Sequence, residues 1–114
     1  MEKHNHTECL GALMPVRDAL DVVSGKWKIQ IIISIRSGNH RFREIERSIP
    51  KITSKVLAKE LKDLEEHKLI KRTVYSDSPV LVEYTPTPHA RSLNKLIKAL
   101  HEWGNDHRKM VMGK

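Results

Sequence analysis

The sequence predicts a mainly helical domain carrying one small β-hairpin, and three observations lead there. Apolar residues recur every three or four positions through most of the chain, and short stop and start signals separate those stretches. Only two runs, "LIKRTVY" and "VLVEYTP", read as strands, and they flank the polar "SDSP" as a hairpin would. A length of 114 residues with 39% hydrophobic and 31% charged side chains suits one folded domain with a single core.

Residues 1–13 carry His4, Asn5, His6, Thr7 and Gly11 without apolar periodicity and read as a flexible arm. From Pro15 the positions Val16, Ala19, Leu20 and Val23 fall at helical spacing, and Gly25 can end a first helix of about Pro15 to Ser24. In "KWKIQIIISIRSGN" the β-branched isoleucines favour a strand locally, whereas Trp27, Ile31 and Ile35 recur every four residues. The polar Gln30 and Ser34 and the stop "SGN" decide for a largely buried helix ending near Arg36. A short third helix follows in "RFREIERSI", with Phe42, Ile45 and Ile49 on one stripe and Pro50 closing it.

Thr53 can cap a fourth helix running from Ser54 to about His67. At about 100° per residue, Leu57, Leu61 and Leu64 share its inner face, while Lys55, Lys59 and Lys62 gather on the outer one. Beyond the hairpin, Thr87 and Pro88 open a fifth helix whose stripe is Leu93, Leu96, Ile97, Leu100 and Trp103. The expected organisation is therefore an arm (1–13), one domain (14–109) and a short tail (110–114), with no linker or repeat to mark a second domain.

The formal charge is +7, and +5 of it lies between Arg36 and Lys59, where seven Lys or Arg face only Glu44 and Glu46. Such an excess is the footprint of a polyanion partner, nucleic acid before membrane, although charge by itself leaves an unoccupied basic surface open. The longest apolar run, "KIQIIISIR", is far short of a bilayer span of roughly 20 residues, so no membrane segment is expected. The N-terminus has no secretion pattern and one cysteine forms no internal disulfide, which points to the cytoplasm. His4, His6 and Cys9 make an H-x-H-x-x-C pattern lacking a fourth ligand on a rigid element, so no metal or cofactor is expected. No phosphate-cradling glycine loop, HExxH or GxSxG occurs, and the chain does not read as an enzyme.

Helix, helix, short helix, helix, hairpin, helix is the order of a winged helix-turn-helix, with "PKIT" as the turn, the fourth helix as reader and the hairpin as wing. The lysine face is then presented to a DNA groove. Ser54 and Lys55, at the helix start, are candidates for base edges, although Ser54 also suits a structural role in the first turn. Val56 either meets a thymine methyl or covers a neighbouring loop. Trp27 and Trp103 belong to apolar stripes and read as core and interface residues. The stripes of the first and last helices (Val16, Leu20, Leu93, Leu96, Ile97, Leu100, Trp103) exceed what so small a domain can bury, which predicts a homodimer through those helices.

The stretches "PVRDALDVVSGKWK", "RFREIERSIPKITSKVLAKELKDLEEHKLIKR" and "VEYTPTPHARSL" resemble the HxlR branch of the MarR-like winged-helix transcription regulators, over roughly residues 14–104. The resemblance implies a homodimer that binds a palindromic operator in double-stranded DNA and represses or activates a nearby gene, with repression as the favoured outcome. It puts Thr53, Ser54, Lys55, Ala58 and Lys59 at the groove-facing start of the reading helix, and Arg41 and Arg43 near phosphates. Many relatives have a cysteine before the proline of the first helix; Met14 stands there, and Cys9 is the one candidate redox sensor. Many also have a wing-tip arginine where Leu81 stands, leaving Lys71 and Arg72 at the base of the hairpin as the nearest cations. A competing reading is a winged-helix module that docks proteins without reading DNA; the basic segment favours DNA, because protein interface cores are depleted of charge. No inducer, small-molecule or redox, is named by the residues.

Overall fold

The structure is a computed structural model that describes residues 6–76 and 78–113, with the backbone alone for residues 6–10. Its elements in chain order are α1 (His6–Val23), α2 (Lys28–Arg36), α3 (Phe42–Ser48), α4 (Ser54–Glu66), β1 (Ile70–Tyr75), β2 (Leu81–Pro86), a 3-10 turn (Pro88–Ser92) and α5 (Leu93–Met112). This is a winged helix: mainly α, with one antiparallel hairpin.

The core is a single cluster built by α2, α3, α4 and the approach to the hairpin. Ile31, Ile32 and Ile35 of α2 meet Ile45 and Ile49, Ile52 in the turn, Leu57, Leu61 and Leu64 of α4, then Leu69, Ile70 and Ala90. Burial on three sides overrides the strand preference of the isoleucine run, which stays helical as its four-residue spacing predicts. Ser34 is the one polar residue of the described chain inside this core. Its hydroxyl lies 2.5 Å from that of Ser48 and accepts from the Asn39 amide at 3.1 Å, so the buried polar group is satisfied and ties α2 to α3.

The element ends follow local chemistry. Gly38, at a φ of 115°, turns the chain out of α2. The Glu44 carboxylate accepts from the backbone amides of His40 and Arg41 at the start of α3. Thr53 Oγ1 accepts from Val56 N at 3.2 Å and caps α4 as expected. Lys51 holds a φ of 69° in the turn between α3 and α4, a left-handed conformation that costs a side chain about 1 kcal/mol.

In the hairpin, Arg72 pairs with Tyr84 and Thr73 with Glu83. Tyr84 N donates to His40 O at 2.7 Å, which pins the wing to the segment before α3. Thr87 Oγ1 donates to Lys68 O at 2.7 Å and Thr87 N to Leu69 O at 3.1 Å, fixing the exit from the hairpin toward α5.

Several element boundaries differ from the sequence-based expectation. The first helix starts at His6, so residues 6–13, expected in the arm, are helical; Leu13 extends the spacing of Val16 and Leu20 backward, and Pro15 lies inside the helix. The second strand begins at Leu81, leaving Val80 exposed in the connection. The fifth helix opens with a separate 3-10 turn, because the Ala90 amide bonds back to Thr87, and the α-helix proper starts at Leu93. It then runs to Met112, past the expected boundary at residue 109, and Gly113 at a φ of 71° ends it.

Candidate nucleic-acid interface

Leu57, Leu61 and Leu64 fasten α4 to the core, each no more than 1% exposed, and that anchoring turns the opposite face outward. Lys55, Ala58, Lys59 and Lys62 are all exposed on it. Lys62, Ala58 and Glu65 line a shallow cleft of about 290 Å³ whose other wall is Arg72 and Tyr84 of the hairpin. The helix α4 and the hairpin thus share one concave surface, with Lys62 on one side and Arg72 on the other. Among the described residues, no carboxylate lies within salt-bridge distance of Lys55, Lys62 or Arg72. Arg41, Arg43 and Lys71 are exposed as well.

The other expected contact residues are placed differently. Ser54 donates its hydroxyl to Glu46 Oε2, which clamps the start of α4 to α3 and occupies a group expected at base edges. Thr53 spends its hydroxyl on the cap. Val56 is half-buried and packs against the core cluster. Lys59 is 73% exposed, but its ammonium stands 3.6 Å from Asp63 and 4.0 Å from Glu60.

Those two acids have a second partner that sequence reasoning missed. Lys28 Nζ, on α2, reaches Glu60 Oε2 at 2.6 Å and Asp63 Oδ2 at 3.6 Å, with only 12% of its side chain exposed. Burial acts to lower the pKa of Lys28, but the hydrogen bond and charge of Glu60, joined by the charge of Asp63, outweigh it and hold the ammonium above its ordinary value. For Asp63 the partners are Lys28 from α2 and Lys59 from its own helix. Nothing local signals this pair, since Lys28 and Glu60 are 32 positions apart.

A family profile described as HxlR-like helix-turn-helix matches residues 22–112, which span all of α2 to α5. The chain belongs to this HxlR family. It is 41% identical over 92 residues to an uncharacterized HTH-type transcriptional regulator of Methanothermobacter thermautotrophicus, covering 81% of this chain and 70% of the relative. Among solved structures it is similar to the redox regulator HypR in its reduced form, with a TM-score of 0.78 and 35% identity over 88% of this chain and 99% of that one. A MarR-family transcriptional regulator of Enterococcus faecalis matches with a TM-score of 0.76 and 25% identity, over 100% of this chain and 98% of that one. As an HxlR-family member the protein is a helix-turn-helix transcriptional regulator, and its family binds DNA; the relatives are regulators rather than enzymes.

The HxlR chain also leaves a large apolar surface uncovered. Val16 and Leu20 on α1 are about half exposed, as is Leu100 on α5, and Trp103 is 66% exposed and stacked on His107 with ring centres 4.7 Å apart. Leu93 and Ile97 instead pack, half-buried, against the core of their own chain, and Leu96 lies half-buried beside them. Trp27 joins the core cluster, with the Lys26 ammonium 4.8 Å from its ring centre. No helix among the described residues is long and apolar enough to cross a membrane. Among them, no group of His, Cys, Asp and Glu could hold a metal ion. His4 lies outside the described residues, and so do the side chains of His6 and Cys9.

Proposed function

We propose that the protein is a homodimeric repressor that works in the cytoplasm and binds a palindromic operator through α4 and the wing. The observation that carries this reading is the shared cationic surface of Lys55, Lys62 and Arg72, exposed and free of carboxylate partners among the described residues. Cations held this way neutralise phosphates and release counterions, with a slope of about −0.9 in log K against log salt for each contact. Lys55, in the first turn of α4, is the residue best placed for base edges; Lys62, Arg72, Lys71, Arg41 and Arg43 serve phosphates. Thr53 and Ser54 support the reader by capping it and clamping it to α3, and Ala58 admits the backbone close to the duplex.

A second copy of the chain supplies the cover for Val16, Leu20, Leu100 and Trp103, with Leu93, Leu96 and Ile97 at its edge. Two-fold pairing through α1 and α5 would space the two readers about one helical turn of DNA apart, near 34 Å. Repression follows because a dimer seated on a promoter excludes other proteins from that duplex without a further surface.

The test is selection of a duplex from a random-sequence pool, followed by binding across a salt series. A palindromic consensus, a steep salt slope, and a slope reduced by about 0.9 in each of Lys55→Gln and Lys62→Gln are expected. Weak, sequence-independent binding that salt leaves unchanged would overturn the reading in favour of a protein-docking module.

A further inference from the structure

Glu60 and Asp63 sit on the flank of α4 between two ammonium groups. Lys28 approaches from α2 at 2.6 and 3.6 Å, and Lys59 from the same helix at 4.0 and 3.6 Å. The quartet is formally neutral, but its two cations are not equivalent. Lys28 is 12% exposed and held by the shorter contact, whereas Lys59 is 73% exposed and engaged through an i,i+4 pair. Exposed pairs of that kind are weak and screened by salt, while a pair withdrawn from water is much harder to break.

We infer that Lys28 is a positioning residue for DNA binding: it satisfies the carboxylates of Glu60 and Asp63 so that the Lys59 ammonium stays free to exchange Asp63 for a phosphate. The inference rests on α4 being the DNA-facing helix. Without Lys28, two carboxylates share one lysine, and Glu60, only 13% exposed, has Lys59 at 4.0 Å as its one remaining counterion among the described residues. Lys59 then becomes the internal counterion of its own helix and is lost to the duplex. The same contact joins α2 to α4, so a purely structural role for Lys28 is the idea to be separated from this one.

The experiment measures binding to one duplex, selected from a random pool by the unaltered protein, across a salt series, with circular dichroism as the folding check. In the unaltered background Lys59→Gln lowers the salt slope by about 0.9. Lys28→Met produces the same loss, and adding Lys59→Gln to it changes nothing more. Neutralising the acids in the triple variant Lys28→Met, Glu60→Gln, Asp63→Asn restores the lost slope, which a structural staple would not do. Asp63→Asn alone keeps the Lys28–Glu60 contact, removes the acid that competes with the duplex for Lys59, and tightens binding about threefold at a fixed salt concentration, the size of one weak exposed pair.

The inference is overturned if Lys28→Met keeps the full slope while Lys59→Gln still lowers it, or if the triple variant restores nothing. It is equally overturned if Lys59→Gln has no effect by itself, whereas failure of α4 as the reader would appear in the Lys55→Gln and Lys62→Gln variants. Should Lys28→Met not fold, Asp63→Asn decides: tighter binding supports the inference and unchanged or weaker binding ends it.

Discussion

Helices α4 and α5 carry the same kind of sequence pattern and meet opposite fates. Both show leucines at helical spacing opposite a charged face, yet α4 buries Leu57, Leu61 and Leu64 completely while no residue of α5 is buried. The difference lies in the neighbours. The helix α4 packs on α2 and β1 and is hydrogen-bonded to α3, whereas α5 follows a 3-10 turn and meets the core only through Leu93 and Ile97. An apolar stripe therefore marks the face of a helix that favours cover, and does not say whether its own chain supplies it.

The sharpest way to test that contrast is to cut into each stripe. Leu61→Ala should cost about 3 kcal/mol of folding stability at every protein concentration, read by chemical denaturation, because it opens a cavity in a closed core. Leu100→Glu should keep the helical signal and raise the dimer dissociation constant by about a hundredfold or more, read by sedimentation. An unchanged assembly state would mean that the partner of α5 is not a second copy.

The supports of α4 give smaller effects. Lys28→Met should cost about 2 kcal/mol near neutral pH. The folded pKa of Lys28 is raised, so the stabilisation is complete below the ordinary lysine pKa and is lost as pH rises through the higher folded value. Denaturation midpoints of the two proteins should thus differ by a constant amount up to about pH 9 and converge above the ordinary lysine pKa of about 10.4. The smallest change is Lys51→Gly, which relieves the left-handed backbone at a φ of 69° against a loss of chain stiffness and should stabilise by about 0.5 kcal/mol in thermal melts.

Features read correctly from the sequence are those decided within one or two turns of chain. The Thr53 cap, the end of α2 at Arg36, the leucine stripe of α4 and the order of helices and hairpin all depend on near neighbours. The errors have local causes too: polar residues before Pro15 masked a helix that starts at His6, and the Thr87 cap concealed a change of helix type at Leu93. Contacts of the candidate site were less legible. Ser54 to Glu46 and Lys28 to Glu60 join different helices, and a helical wheel drawn for α4 alone contains neither partner.

By itself, the sequence determined the winged helix-turn-helix, the family and the cationic character of the fourth helix, because periodicity, capping chemistry and charge are written in consecutive residues. Which of the lysines is free depends on contacts between helices. Charge is a property of a residue, but its availability depends on which carboxylates the fold brings within about 4 Å, and for Lys59 these are held by a lysine from another helix.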